Sequence, residues 1–139
     1  MDILVTFPGN KKVDGEMGGF VVHTDQAIAE GGDGTALSPY QHCLVSLATC
    51  AGFYVLAYLK NKGLPVEGVS VQQKHEVNPK TGKVEKVGIF IELPPTIEEQ
   101  HYPAILRSAQ QCAVKKLIEH PPAFDIQIGK AGRDSSSGF

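Results

Sequence analysis

Apolar and polar positions alternate in several short stretches of the chain, and along one long stretch polar charge disappears altogether. Ile3-Leu4-Val5-Thr6-Phe7 and Gly19-Phe20-Val21-Val22-His23-Thr24 are rich in β-branched and aromatic residues and predict two strands, with a further short strand near 12–16 between them. Residues 69–77 and 87–93 alternate on either side of Asn78-Pro79-Lys80-Thr81-Gly82, the pattern of a long hairpin closed by a turn. Thr96 and Glu99 have capping-box spacing, but Pro103 would break a helix begun there. A short turn at 97–101 is therefore expected, then a helix from about Tyr102 whose apolar period (Ile105, Leu106, Ala109, Cys112, Ala113) runs on to Ala113. Phe124-Asp125-Ile126-Gln127-Ile128 predicts a last strand.

The uncharged stretch runs from Gly34 to Leu59, 26 residues without Asp, Glu, Lys or Arg. Ser38 is a good N-cap, Pro39 suits the first helical position, and Gln41 completes a capping box. Lys60 and Lys62 suit the negative end, Gly63 can take the left-handed conformation, and Pro65 forbids continuation. A helix from about 39 to 62 follows, about 36 Å long at 1.5 Å per residue. Its apolar part is long enough to raise the question of a membrane span, but Ser46, Thr49 and Gly52 and the loop-like first third favour a helix buried on nearly all sides. So short a chain hardly wraps such a helix alone, which predicts a homodimer. The preceding Glu30-Gly31-Gly32-Asp33-Gly34-Thr35 reads as a connecting loop.

Strands, long helix, hairpin, helix and strand in that order define an α+β domain rather than repeated βαβ units. Its 139 residues suffice for one domain, placed at 1–130, with residues 131–139 as a polar tail. Lys and Arg number 13 against 15 Asp and Glu, a net charge of −2 that offers no footprint for nucleic acid or an anionic membrane. Three cysteines cannot form a fully paired disulfide framework, and the first residues lack the basic and apolar regions of a secretory signal. The expected compartment is the reducing cytoplasm. His42, Cys43 and Cys50 do not have tetrahedral-site spacing and no Cys-x-x-Cys occurs, so neither a metal nor a bound cofactor is expected.

Cys43 lies seven residues before Cys50, about 10.5 Å along an intact helix, too far for a disulfide between them. Cys112 is on or next to the second helix. All three side chains also suit simple burial as small hydrophobes.

The run from Gly32 to Cys50, with Ser38-Pro39 opening an apolar helix and Cys50 eleven residues after the proline, resembles the central motif of the OsmC and organic hydroperoxide resistance family. Ala109-Gln110-Gln111-Cys112-Ala113-Val114-Lys115-Lys116-Leu117 is similar to its second cysteine motif. The likeness is to the OsmC-like predicted redox proteins more than to the hydroperoxidases proper. It implies an intertwined homodimer whose long central helices are enclosed by antiparallel sheets, and a stress-response thiol peroxidase. Cys50 would attack an organic hydroperoxide, Cys112 would close a disulfide onto the resulting sulfenic acid, and an external dithiol would reduce it. Tyr40, Leu47, Phe53 and Tyr54 would wall an apolar substrate site.

Two family features are absent. The only arginines are Arg107 and Arg133, so the N-terminal arginine that activates the cysteine is missing, and Tyr40 and Gln41 stand where the family has a glutamate. Gln41 is then the candidate to orient the site, with Lys11, Lys12 or His42 as candidates to lower the thiol pKa. The alternative is a non-catalytic module of the same fold that binds a small apolar or thiol ligand at the dimer interface. A thioesterase-like enzyme on another fold would need a base on the long helix, and residues 39–59 offer no carboxylate.

Overall fold

A computed structural model describes residues 2–129; the tail expected at 131–139 lies outside the described residues. Strands β1 (Leu4–Gly9), β2 (Lys12–Met17) and β3 (Phe20–Thr24) form a three-stranded antiparallel meander. Gly18 and Gly19 both take positive φ between Met17 and its partner Phe20, the backbone a tight two-residue hairpin requires. Helix α1 (Pro39–Asn61) follows, then the hairpin β4 (Ser70–Val77) and β5 (Val84–Glu92), and the short helices α2 (Tyr102–Ala109) and α3 (Ala113–Glu119). Asn78 closes the hairpin by accepting from the Lys80 and Thr81 amides at 2.9 and 3.1 Å.

Helix α1 starts where its cap demands. The Ser38 amide donates to Gln41 Oε1 at 2.9 Å and the Gln41 amide to Ser38 Oγ at 3.3 Å, a complete capping box. Leu47, Ala51, Val55 and Leu59, four residues apart, form its buried stripe. Val55 and Leu59 pack on Ile97, Ile105 and Ala109, with Val71, Ile91 and Leu93 of the hairpin region against them. Leu47 and Ala51 pack on Cys112, with Val87 and Ile89 alongside. The expected burial on nearly all sides is met on this face only, and the opposite face, with Val45 and Phe53, is open in the single chain.

The loop before α1 is better organised than its glycines suggest. Asp25 is fully buried, and its carboxylate accepts from the Gln26 amide at 2.8 Å, the Thr35 amide at 3.0 Å and the Thr35 hydroxyl at 2.7 Å. Those Thr35 bonds hold the Asp25 carboxyl well below the usual carboxylate range, against the opposing effect of burial. Gly32 is required there, since a Cβ would lie 2.0 Å from the Gln26 carbonyl oxygen. Lys11 and Lys12 strap the loop from outside, through the Glu30 carbonyl and the Asp33 carboxylate.

Two expectations are corrected. The second helix does not run on through Cys112: it stops at Ala109, and Cys112 with φ −44° and ψ 117° begins a separate helix α3. Segment 124–128 forms no strand, with Phe124, Ile126 and Ile128 exposed at 84%, 93% and 102%. Alternation sets which side chains share a face, but a strand also needs an edge that accepts its hydrogen bonds, and none meets it among the described residues.

Candidate active site

Cys50 and Cys112 meet. Cys50 lies on α1 beside the buried Leu47 and Ala51, half-buried, and faces the start of α3. The Val114 amide, then the Cys112 thiol and the Ala113 amide, lie toward its sulfur and pull the Cys50 thiol below its ordinary pKa, against the effect of burial. Cys112 is fully buried and N-caps α3, its sulfur accepting from the Lys115 amide at 3.4 Å. Its thiol donates to the Leu47 carbonyl at 3.7 Å, and Cys50 packs against it. Burial pushes the Cys112 thiol up. One thiol is thus poised to ionise, and its neighbour is held protonated as a donor to it.

An apolar cavity of about 400 Å³ adjoins this pair, walled by Leu47, Val87, Ile89, Ile91, Leu106 and Ile118, with Gln110, Lys115 and Glu119 at its polar side. Neither thiol lines it. Leu47 is common to both features: its side chain faces the cavity and its carbonyl the Cys112 thiol.

The other candidates lie elsewhere. Gln41 is engaged in the helix cap, about 13 Å along the axis from Cys50 at 1.5 Å per residue, and does not reach the thiols within one chain. Tyr40 and Phe53 are 59% and 62% exposed on the chain surface, and Tyr54 stacks edge-on against Phe53 with ring centroids 5.6 Å apart. Cys43 is exposed. Lys11 and Lys12 serve the loop before α1, and His42 Nε2 bonds the His23 carbonyl at 3.0 Å. None of these three side chains acidifies Cys50; the Val114 amide, the Cys112 thiol and the Ala113 amide do it. The part played by the amides is invisible in side-chain identities, because the start of α3 at Cys112 is itself hidden in the sequence. Among the described residues no group of three or more His, Cys, Asp or Glu gathers as a metal site.

The family of OsmC-like proteins matches residues 32–127, which include both cysteines and every element from α1 to α3. The chain belongs to the OsmC-like family. Among solved structures, the OsmC-like chain is similar to a Psychrobacter arcticus protein assigned to osmotic stress induction and the detoxification response (20% identity, 82% of this chain and 85% of that one, TM-score 0.67). A hypothetical protein from Aquifex aeolicus shares 17% identity over 86% and 87% of the two chains, with a TM-score of 0.66. An organic hydroperoxide resistance protein OsmC from Legionella pneumophila, also described as a predicted redox protein, shares 17% over 85% and 89%, with a TM-score of 0.53. At these identities the likeness establishes the fold: α+β, with a long central helix and antiparallel sheets. No curated protein matches the chain significantly in sequence. By length and mean hydropathy (1.6 over its most apolar window) α1 is able to cross a membrane; in the OsmC-like fold it is the central helix.

Proposed function

We propose that this OsmC-like protein is a thiol peroxidase that reduces organic hydroperoxides, with Cys50 as the attacking thiolate and Cys112 as the resolving thiol. The observation that carries the reading is the contact between two thiols whose acidities are pushed in opposite directions, one half-exposed and one fully buried. The Cys50 thiolate attacks the distal oxygen of the hydroperoxide, the O–O bond breaks, and the departing alkoxide takes a proton to leave as an alcohol. Cys50 is now a sulfenic acid. The Cys112 sulfur displaces hydroxide from it, its proton leaving with the hydroxide as water, and a Cys50–Cys112 disulfide remains. An external dithiol returns both thiols to the reduced state and becomes a disulfide itself. The neighbouring cavity suits the organic part of an apolar peroxide. A reducing cytoplasm suits three free cysteines.

The working unit in this reading is a homodimer. The chain exposes 10951 Å², whereas a compact monomer of 14.9 kDa exposes about 7000 Å². Large apolar side chains lie exposed on the β1–β3 sheet, with Leu4, Phe7 and Phe20, and on the open face of α1, with Phe53. Tyr40, Gln41 and Phe53 then contribute to a site only across that interface, from a second copy.

A second reading, a module that holds a small apolar ligand without chemistry, is favoured by the fact that neither thiol lines the cavity. Mass mapping of the reduced protein after one equivalent of cumene hydroperoxide separates the two. Peptides linking Cys50 to Cys112 within seconds are the expected result; three unmodified thiols would exclude the peroxidase. Cys50→Ser should abolish peroxide consumption, and Cys112→Ser should leave a single turnover ending in a sulfenic acid.

A further inference from the structure

Breaking the O–O bond of a hydroperoxide sends an electron pair onto the oxygen that carries the organic group, and an alkoxide leaves poorly until it gains a proton. The donor has to stand beside Cys50, which is half-buried and open to solvent on the side away from the core. The residues one turn from Cys50 on α1 are Ser46, Leu47, Phe53 and Tyr54. The Ser46 hydroxyl donates to the Cys43 carbonyl at 2.7 Å, and that of Thr49, next to Cys50, to the Val45 carbonyl at 2.9 Å. Both are spent on the helix backbone. The Cys112 thiol is fully buried and donates to the Leu47 carbonyl, and the Lys115 ammonium is held by the Glu119 carboxylate at 2.6 Å.

Tyr54 differs from all of these. It is half-buried, and among the described residues it makes an edge-on ring contact with Phe53 and no hydrogen bond. A tyrosine that gives up this much solvent usually finds a partner for its hydroxyl, so an unspent O–H here is open to a ligand. Position aims it at the sulfur. Tyr54 follows Cys50 by four residues, a spacing that stacks the two on one helix face with Cβ atoms about 5–6 Å apart. Helical side chains lean toward the N-terminus, so a long side chain at 54 lies over the turn that carries Cys50. The Phe53 ring, its centroid 5.6 Å away and inclined at 77°, braces Tyr54 from the open face of α1.

We propose that Tyr54 is the general acid of the peroxide step, its phenolic hydroxyl donating to the oxygen that leaves with the organic group. The inference rests on the peroxidase reading above and gives Tyr54 a chemical part beyond that of an apolar wall. As the Cys50 sulfur bonds to the distal oxygen, the electron pair of the O–O bond passes to the proximal oxygen, which takes the Tyr54 proton and departs as the alcohol. The tyrosinate regains from solvent the proton that Cys50 released on ionising. Cys50 is left as the sulfenic acid that Cys112 resolves.

Single-turnover oxidation of the reduced full chain tests this, with Cys50 followed by mass spectrometry of quenched samples and two oxidants whose leaving groups differ. Cumene hydroperoxide releases a basic alkoxide that needs an acid; perbenzoic acid releases benzoate, which does not. Tyr54→Phe keeps the ring and its contact with Phe53 and removes only the hydroxyl. Oxidation of Cys50 by cumene hydroperoxide should slow about 100-fold, while its oxidation by perbenzoic acid and its alkylation by iodoacetamide stay within about twofold of wild type. A merely structural tyrosine would change all three rates together. An unchanged rate with cumene hydroperoxide, or an equal loss with both oxidants, would overturn the role of Tyr54. A wild-type Cys50 that reacts with perbenzoic acid and iodoacetamide but not with cumene hydroperoxide would instead overturn the peroxidase reading itself.

Discussion

Removing the sulfur of Cys112 tests the site through two independent readouts. In Cys112→Ala the Lys115 amide loses its cap, at a cost of about 1 kcal/mol, and a fully buried position loses an atom of roughly methyl size, at about 1 kcal/mol more. The sum of about 2 kcal/mol lowers Tm by roughly 6–10 °C in a domain of this length, compared at one protein concentration. Cys112→Ser keeps an acceptor for Lys115 and a donor for the Leu47 carbonyl, so its Tm should stay within about 4 °C of wild type. The second readout is the acidity of Cys50. Alanine removes one of the three donors to its sulfur and leaves the Val114 and Ala113 amides in place. The rate of Cys50 alkylation by iodoacetamide at pH 7, mapped by mass spectrometry, should therefore fall about three- to tenfold, the scale of one hydrogen bond to a charged group shared among several. The pH profile should move upward, toward the ordinary thiol value. Superimposable Cys50 titrations in wild type and Cys112→Ala would refute the thiol contact as a source of that acidity, and equal Tm values for the alanine and serine variants would refute the cap.

Cys43 is exposed and outside the paired site, so Cys43→Ala should leave hydroperoxide turnover within a few fold; total loss with the fold intact would move the chemistry to that residue. Asp25 has its pKa depressed in the folded chain, so the stability it contributes is complete above the ordinary carboxylate pKa of about 4 and is lost as pH falls toward the depressed value. Protection of the Thr35 amide should be full above about pH 4 and decline progressively as pH falls from there toward the depressed value, and Asp25→Asn should exchange fast at neutral pH because it loses the carboxylate that accepts from the Thr35 amide and hydroxyl. Phe53→Glu places a charge on the open face of α1 and should leave a monomer by sedimentation velocity; an unchanged dimer would place the interface elsewhere.

Local signals were legible in the sequence where the physics is local. Ser38, Pro39 and Gln41 carry the start of α1 because a capping box is made by residues three apart. Lys60, Lys62 and Gly63 likewise marked its end, and the β4–β5 hairpin follows from alternation and the Asn78 turn. The break between α2 and α3 was hidden because Ile105, Ala109, Cys112 and Ala113 keep one period across it, and nothing in Gln110-Gln111 stops a helix. Cysteine is an unusual cap, and its sulfur finds the Lys115 amide only because the buried stripe of α1 holds it in place. The role of Asp25 is not legible in the sequence, since its partners, Thr35 and the amides around it, assemble only once the loop closes. Segment 124–128 carries the pattern of a strand but finds no edge to pair with among the described residues.

Everything that lowers the Cys50 pKa comes from residues 112–114, and nothing comes from its own helix. During synthesis at about 5–20 residues per second, Cys50 therefore emerges several seconds before the groups that activate it. Until α3 docks, Cys50 lacks the neighbours that lower its pKa. In the proposed peroxidase the attacking thiol therefore gains its acidity only in the folded chain, once α3 has docked on α1.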